Sequence, residues 1–539
     1  MSKTFNLADL LDVVCEAVPD RLAFICGEQQ LTFRELNRRA TRLAHAMRGL
    51  GIGRGDHVGI ELYNSAAYME AFFACCKIGA APANINYRYV ADELHYLLHS
   101  LDIKAVVHHD AFAGELAKAA PRLPKLLHRI QVNVQGEGAA STPPGVLDYE
   151  TLLASGLETL DDPGRSDNDL YLLCTGGTTG MPKGVMWPHR ALFMGALGGG
   201  GVYFRRPPID TPEELAALVP AGPPTRFFAI APMMHGAANW SALISLFAGH
   251  TVVVNDQTHF QAEHIWDVVD RDQVNIMAVV GDAMALPLVQ ALESHPGRWK
   301  LNSLYVFGNG GAALSEGMQK RIRQALPNVM ISNGIGSSET GVVGSGGPPQ
   351  DGEGLMVLQP TPDLAVIDEQ LRILTQPGAT GVLARTGHTP IGYYGDPIKN
   401  AETFVSIDSR LWVLSGDQVR IDAQGRIVVL GRGSQCINTG GEKVFPEEVE
   451  GVVRLYPAVA DVLVVGMPDE RWGQRVVAVV QVAADHHFDA AEMNRICREH
   501  LSGYKVPKAV VLAQHIQRSP AGKADYRWAK DHASHHPAL

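Results

Sequence analysis

Thr175-Gly176-Gly177-Thr178-Thr179-Gly180-Met181-Pro182-Lys183-Gly184 follows a short apolar run, Tyr171 to Cys174, that is typical of a buried strand. The glycines of this stretch let the backbone turn several N–H groups toward one point, and the threonines add hydroxyl donors. Lys183 adds a positive charge beside them. A loop of this composition after a buried strand predicts a cradle for a polyphosphate. It is not a Walker A loop, because the chain contains no Gly-x4-Gly-Lys-Ser/Thr run.

The segments around this loop alternate between predicted helices and predicted strands. Thr32 to Leu50 carries apolar residues at helical spacing, and Gly51 ends the pattern. Short strands are predicted at His57 to Leu62 and at Thr251 to Val254, with a second apolar helix at Ser65 to Ile78. This alternation predicts a layered α/β fold with parallel strands.

One uncharged segment is long enough to resemble a membrane span. Phe227 to Val254 contains no Asp, Glu, Lys or Arg. It nevertheless contains Pro232, His235 and Gly249, which interrupt an apolar helix. A buried strand, loop, helix and strand is therefore the better interpretation.

Composition excludes several classes of protein. The chain has 539 residues, of which 46% are hydrophobic and 19% charged, so it can bury large cores. It has 46 Lys and Arg against 57 Asp and Glu, a formal charge of −11, which argues against nucleic acid as the main partner. The seven cysteines include no Cys-x-x-Cys pair, which disfavours a disulfide framework or a zinc ribbon. With no signal peptide visible at the N-terminus, this usage predicts a cytoplasmic protein.

The texture of the chain changes in its last third. From Leu364 to Val429 the sequence predicts short strands separated by glycine turns. After a Gly-Arg-Gly turn, a compact α+β segment begins near Ser434. We therefore predict an N-terminal domain at residues 1–433 and a C-terminal domain at residues 434–539.

The glycine- and threonine-rich stretch resembles the phosphate loop of the adenylate-forming superfamily, which includes acyl-CoA synthetases, peptide-synthetase adenylation domains and luciferases. The resemblance covers nearly the whole chain. Its further motifs follow in the family's order: Gly334 to Glu339, Gly392-Tyr393-Tyr394 with Pro397 and Phe404 beyond, Trp412 to Asp417, Gly431 to Ser434, and Ser519 to Lys523. Within the superfamily the chain looks most similar to bacterial fatty-acyl-CoA synthetases.

The resemblance implies a fold and a set of nucleotide-binding residues. The implied fold is a large N-terminal domain of layered α/β subdomains with a small β-barrel-like subdomain, followed by a small mobile α+β C-terminal domain. The residues implied to bind ATP or AMP are Thr175, Gly176, Gly177, Thr178, Thr179, Gly180, Lys183, Gly310, Gly311, Ile335, Gly336, Ser338, Asp417 and Arg432. Gly308 to Ala313 superficially fits a dinucleotide fingerprint, but no acidic residue lies at the expected distance.

The resemblance also implies catalytic residues. Lys523 would contact the substrate carboxylate and the α-phosphate, and Glu339 would be the Mg²⁺ ligand. His235, in Pro232-Met233-Met234-His235, would position or gate the acid; a satisfied core histidine is the alternative. Ser434 would be the hinge between the two domains. Two positions depart from the family, which usually has an aromatic residue where Ile335 lies and Asp or Lys where Ser434 lies.

The predicted acyl pocket draws on Trp240, Gly281 and Met284. These residues are apolar or small, and Asp282 is the only candidate to bind an α-amino group. Asn239-Trp240 occupies the stretch where peptide-synthetase-like members carry an Asp. This favours a hydrophobic, uncharged acid such as a fatty or steroid-side-chain acid.

The implied function is an ATP-dependent acyl-CoA ligase that forms acyl-AMP and then transfers the acyl group to coenzyme A. ATP, Mg²⁺ and coenzyme A are the implied cofactor and co-substrates. An acyl-AMP ligase that loads a carrier protein, a non-catalytic nucleotide-binding homologue and a hydride-transfer enzyme are the alternatives. Peripheral membrane contact and a homodimer are left open.

Overall fold

The computed structural model describes residues 3–133, 142–161, 164–175, 182–201, 206–219, 221–312, 314, 316–346, 355–432, 435–439, 442–469, 472–484, 486–501, 503–518 and 524–539. The strands in these residues form four sheets, which we number I to IV.

The strands, in chain order, are β1 (Leu22–Cys26), β2 (Gln29–Thr32), β3 (His57–Glu61), β4 (Ala81–Asn84), β5 (Ile103–His109), β6 (His128–Val132), β7 (Leu147–Asp148), β8 (Leu170–Thr175), β9 (Lys183–Pro188), β10 (Arg226–Ala229), β11 (Thr251–Val254), β12 (Ile276–Val279), β13 (Val306–Gly310), β14 (Met330–Ser337), β15 (Gly341–Gly346), β16 (Val357–Leu358), β17 (Leu364–Ile367), β18 (Ile373–Leu374), β19 (Thr380–Arg385), β20 (Phe404–Ile407), β21 (Arg410–Ile421), β22 (Ile427–Arg432), β23 (Ile437–Thr439), β24 (Glu442–Val444), β25 (Val459–Asp469), β26 (Gly473–Val482) and β27 (Ala509–Ala513).

The α-helices, in chain order, are α1 (Leu7–Ala17), α2 (Phe33–Gly49), α3 (Ala66–Lys77), α4 (Ala91–Ser100), α5 (Ala113–Ala119), α6 (Tyr149–Ser155), α7 (His189–Gly195), α8 (Glu214–Leu218), α9 (Gly236–Phe247), α10 (Ala262–Arg271), α11 (Gly281–Ser294), α12 (Glu316–Ala325), α13 (Pro397–Thr403), α14 (Pro446–Val453), α15 (Ala490–His500) and α16 (Tyr526–His535).

Sheets I and II are mainly parallel. Sheet I has the order β15-β14-β13-β12-β10-β11-β1-β2, and sheet II has the order β7-β6-β5-β3-β4-β8-β9. Neighbouring strands are parallel except where β2, β15 and β9 join antiparallel at the ends of the two sheets. Parallel neighbours need crossover connections, which helices provide in α/β proteins. The predicted layered α/β fold is confirmed.

The first predicted helix forms almost at the predicted bounds. α2 is preceded by Thr32, whose hydroxyl accepts from the Glu35 backbone N–H, while the Glu35 carboxylate accepts from the Thr32 N–H. This reciprocal capping box satisfies two donors that a helix start otherwise leaves unpaired. The predicted apolar positions, among them Leu36 and Leu43, are fully buried.

The uncharged segment from 227 to 254 is divided into β10, α9 and β11, as predicted. Within the described part of the chain, no helix is both long enough and apolar enough to cross a membrane. β10 and β11 lie side by side in sheet I, and α9 packs on them with buried residues such as Leu243 and Phe247. The same hydrophobic cluster contains Phe72 and Tyr171, so it joins sheet I to sheet II.

Sheets III and IV account for the last third of the described chain. Sheet III has the order β16-β22-β21-β19-β17-β18 with β20 on β21, and its pairs are antiparallel. Strands β17 to β21 lie in the region where the sequence predicts strands separated by turns. Sheet IV is built from β23 to β27, all after Arg432. The predicted domain boundary at Ser434 falls between β22 and β23, at a residue outside the described ones, and stays a prediction.

Candidate active site

The predicted phosphate loop joins two antiparallel strands of sheet II. β8 ends at Thr175 and β9 begins at Lys183, and these two residues are Cα partners. Lys183 therefore lies at the carboxyl end of β8, the edge at which parallel sheets bind ligands. The loop positions Gly176, Gly177, Thr178, Thr179 and Gly180 lie outside the described residues.

Lys183 is held by a carboxylate from a distant segment. Its Nζ lies 2.5 Å from Oδ2 of Asp396 and 5.5 Å from the centroid of the Tyr393 ring. The other carboxylate oxygen of Asp396 accepts the Lys399 backbone N–H at 2.9 Å and caps α13. The hydrogen bond from Lys183 lowers the pKa of Asp396, so this carboxylate is ionised at neutral pH.

Glu339 lies in the tight turn between β14 and β15. Ser337 and Thr340 close this turn: the Ser337 N–H donates to Thr340 Oγ1, and the Thr340 N–H donates to Ser337 Oγ, both at 3.1 Å. Such side-chain bonds to nearby backbone groups replace the ladder where a strand ends.

Two buried side chains donate hydrogen bonds to backbone carbonyl groups in and beside the Glu339 turn. The guanidinium of Arg385 donates from Nη1 to the carbonyl oxygens of Thr340 and Val342, at 2.6 and 2.8 Å. The indole N–H of Trp187 donates to the Ser338 carbonyl at 2.8 Å. Burial lowers the pKa of Arg385, but a guanidinium stays charged at neutral pH. These contacts connect the turn to sheets II and III.

Tyr393 connects Glu339 to Lys183. Its hydroxyl donates to Oε1 of Glu339 at 3.0 Å, and its ring lies beside the Lys183 ammonium. Burial, together with the nearby Glu339 charge, raises the pKa of Tyr393 above its ordinary value. The phenol is therefore neutral at physiological pH and acts as a donor to the carboxylate.

Sequence reasoning did not assign roles to Tyr393, Asp396, Arg385 or Trp187. Tyr393 falls within a recognised family motif, but the motif does not indicate which side chain the tyrosine contacts. Asp396 precedes Pro397, an N-cap followed by a helix-starting proline, which signals its capping role but not its ion pair. Nothing in the sequence around Arg385 or Trp187 indicates which carbonyl groups they bind.

Gly310 and Gly311, which are predicted to bind the nucleotide, lie at the carboxyl edge of sheet I. Gly310, the last residue of β13, is the Cα partner of Gly334 in β14. Gly311 follows with φ of +84°, a conformation that favours glycine. Gly308 to Gly310 belong to β13 itself rather than to a loop after it, unlike the glycine-rich turn of a dinucleotide fingerprint.

Ile335 and Gly336 occupy a bulge in β14. The register with β15 shifts between these two residues. The Ile335 side chain is partly buried and packs against the hydrophobic cluster of sheet III. A Cβ on Gly336 would lie 2.2 Å from the Gly341 carbonyl oxygen, so only glycine fits the bulge.

Asp417 and Arg432, two of the residues predicted to bind ATP or AMP, lie on neighbouring strands of sheet III. Asp417 in β21 and Arg432 in β22 are Cα partners in an antiparallel pair, so the structure places their backbones side by side. The Asp417 N–H donates to Ser415 Oγ at 3.0 Å. Gly416, with φ of +78°, lies between Ser415 and Asp417 within β21, where the register with β19 shifts.

The predicted acyl-pocket residue Trp240 is connected to the Glu339 turn through a second tryptophan, Trp187. His235 is the N-cap residue of α9, and Trp240 lies one turn further along this helix. The Trp240 ring packs edge-on against Trp187, with centroids 5.8 Å apart. The Trp187 indole also donates to the Ser338 carbonyl. Trp187 therefore contacts both a residue of the predicted acyl pocket and the turn that carries Glu339.

Asn309 makes a second connection, between the predicted acyl pocket and the segment after β13. Its Oδ1 accepts the backbone N–H of Gly281 at 2.8 Å, and its Nδ2 donates to the Ala312 carbonyl at 3.0 Å. Gly281 begins α11, and Met284 follows one turn later, packed against the clusters on both faces of sheet I. The predicted pocket residue Gly281 therefore lies beside Asn309, the residue before Gly310, and Met284 lies one turn further along α11.

The remaining predicted residues, Ser434 and Lys523, lie outside the described residues. The motif around Lys523 is bracketed by Arg518 and Ala524, which pair as an antiparallel bridge. Arg518 in turn makes a two-oxygen ion pair with Asp461, with nitrogen–oxygen distances of 2.8 to 3.0 Å. The roles of Ser434 and Lys523 stay predictions.

The metal ligands available at the site suit one hard divalent cation that the protein and a phosphate group bind together. Glu339 offers a half-buried carboxylate whose hydrogen-bond partner among the described residues is a neutral phenol. Across the described ranges, no group of three or more His, Cys, Asp or Glu side chains could hold a metal ion. One carboxylate plus phosphate oxygens is the usual way in which proteins hold Mg²⁺.

Family models match both parts of the chain. A model described as AMP-binding enzyme matches residues 11–394, and a model described as AMP-binding enzyme C-terminal domain matches residues 448–523. The chain belongs to the AMP-binding enzyme family. The predicted family and fold class are confirmed.

Curated relatives of this AMP-binding enzyme align along its whole length. Medium-chain acyl-CoA ligase Mig of Mycobacterium avium is 39% identical over 98% of this chain and 98% of its own. The 3-oxocholest-4-en-26-oate–CoA ligase of Rhodococcus rhodochrous is 39% identical over 99% of this chain and 97% of its own. Both relatives are acyl-CoA ligases, which is the activity class that the sequence predicts.

Solved structures share the fold at lower identity. The anthranilate CoA ligase AuaEII in complex with anthranoyl-AMP superposes with a TM-score of 0.83, at 22% identity and 99% coverage of both chains. ATP-bound MatB from Rhodopseudomonas palustris superposes with a TM-score of 0.79, at 22% identity over 97% of this chain and 98% of that one.

The fit of Gly336 in its bulge predicts that Gly336→Ala disturbs the Glu339 turn of this AMP-binding enzyme. The added Cβ would push the Gly341 carbonyl away, and a displacement of about 1 Å can lower a rate about a hundredfold. We expect acid-dependent exchange between pyrophosphate and ATP to fall at least tenfold, and overpacking to lower the unfolding free energy by about 1–3 kcal/mol.

Gly317→Ala is the matched control for that substitution. Gly317 lies in α12, and a Cβ there meets no atom within 4 Å. Calorimetric unfolding and the exchange assay should be unchanged or slightly better in this variant. Equal exchange rates in Gly336→Ala and the wild type would show that the turn tolerates the displacement.

Proposed function

We propose that this protein is an ATP-dependent acyl-CoA ligase for hydrophobic carboxylic acids. Its first half-reaction joins the acid to AMP and releases pyrophosphate, and its second transfers the acyl group from AMP to the thiol of coenzyme A. The observation that carries the proposal is the approach of Lys183 and Glu339 to one side chain, Tyr393, in a chain that aligns end to end with acyl-CoA ligases.

The charges of the site suit adenylate formation. The acid and the α-phosphate are both anions, so their approach requires neutralised charge. Lys183 places an ammonium at the carboxyl end of β8, where the phosphate loop begins. We assign Glu339 to hold Mg²⁺, which would neutralise phosphate charge when bound.

The remaining roles follow the family motifs. Asp417 accepts hydrogen bonds from the ribose hydroxyls, since a carboxylate can accept two donors at once. We assign Arg432, the Cα partner of Asp417 in the neighbouring strand, to contact the ribose and phosphate, as the family motif implies. His235, at the start of α9, orients the acid, and Lys523 contacts the acid and the α-phosphate.

The acyl side supports an uncharged, hydrophobic acid. Trp240 is nearly buried, and Asn239 beside it is fully buried and uncharged. Burial lowers the pKa of Arg454, but the carboxylates of Glu450, Asp461 and Asp282 outweigh it and raise this pKa. Asp282 is thus one of three carboxylates whose charge acts on Arg454, a cation of the protein itself.

The relatives suggest where to look for the substrate. Their names specify medium-chain acids and a steroid-side-chain acid, and we propose acids of these classes for this chain. Mg²⁺, coenzyme A as the acceptor and a cytoplasmic location belong to the same proposal. Self-association and peripheral membrane contact stay open.

The first test is product formation with a panel of acids. The protein is incubated with ATP, Mg²⁺, coenzyme A and medium-chain, long-chain, aromatic or sterol-side-chain acids, and products are identified by mass spectrometry. We expect a coenzyme A thioester with at least one hydrophobic class, together with AMP. Acyl-AMP without thioester would favour a carrier-protein ligase, and ATP binding without either product would favour a non-catalytic homologue.

Lys523→Ala should separate the two half-reactions. We expect adenylation to be lost, because no cation then joins the acid to the α-phosphate, while thioester formation from supplied acyl-AMP persists. Lys530→Ala, which removes an exposed lysine from α16 in the same part of the chain, should leave both unchanged. Equal loss of both half-reactions in Lys523→Ala would show that this lysine has a structural or shared role.

Ser434→Pro should slow only the second half-reaction. Proline restricts the backbone at the predicted hinge, whereas Ser434→Ala keeps ordinary backbone freedom and is the control. We expect wild-type adenylation in both variants and slower thioester formation in Ser434→Pro. Equal slowing of both steps would place the pivot elsewhere in the chain.

A further inference from the structure

Tyr393 belongs to a segment that extends sheet II. Residues 391–394 run beside β9: the Met186 N–H donates to the Gly392 carbonyl, the Ile391 N–H to the Met186 carbonyl and the Tyr394 N–H to the Gly184 carbonyl, at 2.8 to 3.0 Å. Tyr393 and Val185 form the bridge between these bonds. Tyr393 is thus attached to the strand that begins with Lys183.

The backbone of Tyr393 is also held from the opposite side. Its N–H donates to Oδ1 of Asn400 at 2.6 Å, and its carbonyl accepts from Nδ2 of the same amide at 2.9 Å. Gly392 has φ of +145°, and a Cβ there would lie 3.1 Å from the Asn400 amide. Asn400 therefore pairs with Tyr393 as a neighbouring strand would, which fixes the direction of the side chain.

The ring of Tyr393 has little freedom. It is 5% exposed and packs edge-on against Phe404, with centroids 5.5 Å apart. From this position its hydroxyl reaches Oε1 of Glu339, a residue of sheet I, at 3.0 Å. A glutamate carboxylate otherwise rotates over a broad range of χ3. The phenol limits this rotation and occupies one lone pair of Oε1.

The same segment holds Lys183. Oδ2 of Asp396, three residues after Tyr393, lies 2.5 Å from Nζ of Lys183. The separation between the cation on β9 and the carboxylate on the β14–β15 turn is therefore set through residues 393–396. No other described side chain is hydrogen-bonded to Glu339.

We propose that Tyr393 is a positioning residue for adenylation: it orients the Glu339 carboxylate toward the phosphates of Mg–ATP and maintains its separation from Lys183. This inference rests on the proposed function. Removal of a hydrogen bond that orients a metal-binding side chain commonly costs about 10- to 100-fold in metal affinity or activity. Tyr393→Phe removes this hydroxyl and keeps the packed ring.

The test is calorimetric binding of a non-hydrolysable ATP analogue, with and without Mg²⁺, to the wild type and to Tyr393→Phe. We expect Mg²⁺ to tighten binding to the wild type, and this Mg²⁺-dependent tightening to shrink about tenfold in Tyr393→Phe. Binding without Mg²⁺ and the melting temperature should be unchanged. These two readouts separate an effect on Glu339 from general loss of structure.

Tyr394→Phe is the matched control, because it removes the same group from the neighbouring residue. The Tyr394 hydroxyl donates to Asp102 at 3.1 Å, away from Glu339. This variant should bind the analogue as the wild type does. The substitution Glu339→Gln keeps an acceptor for Tyr393 but loses the charge, and adding Tyr393→Phe to it should cause no further change.

Three results would overturn the inference. These are unchanged Mg²⁺-dependent binding in Tyr393→Phe, an undiminished effect of Tyr393→Phe in the Glu339→Gln background, and parallel loss of Mg²⁺-free binding and melting temperature. A wild-type protein that does not bind the analogue would instead refute the proposed function, and this inference with it.

Discussion

The hydrogen bonds between residues 391–394 and strand β9 are the contact on which the geometry of the candidate site depends. Lys183 begins β9 in sheet II, and Glu339 lies on a turn of sheet I. The chain continues from residues 391–394 into α13 and then into sheet III. Separate sheets can shift relative to one another unless polar contacts of defined geometry join them. Here backbone bonds to β9 and one phenol hydrogen bond to Glu339 supply that connection.

Electrostatics explains why this segment carries both a tyrosine and an aspartate. A half-buried ammonium such as that of Lys183 is destabilised without a counter-ion, and Asp396 provides one while its other oxygen caps α13. The neighbour of Glu339 must not carry a negative charge, because two anions in one partly buried place repel each other. Tyr393 meets this requirement, because a phenol is neutral at physiological pH and burial raises the pKa of Tyr393 further above its ordinary value.

Local patterns in the sequence predicted the elements but not their contacts. The helix at 33–49 and the strands at 57–61 and 251–254 follow from apolar spacing, a capping residue and glycine stops, all of which act within a few residues. Gly308 and Gly310 give little strand signal in the sequence, yet the pairing of β13 with β12 and β14 makes both of them part of a strand. Arg385 shows most clearly what local patterns cannot predict. Its buried guanidinium binds two carbonyl groups, and no periodic pattern in the sequence indicates such a contact.

The sequence by itself determined the composition of the phosphate loop, the order of the family motifs and the layered α/β architecture, because turn chemistry and hydrophobic periodicity depend on residues close together in the chain. Only the tertiary structure decided that Lys183 pairs with Asp396, 213 residues away, that Trp187 binds the carbonyl of Ser338, 151 residues away, and that Tyr393 binds Glu339. These contacts depend on the order and register of strands in three sheets. That arrangement results from packing of the whole chain, and no local pattern records it.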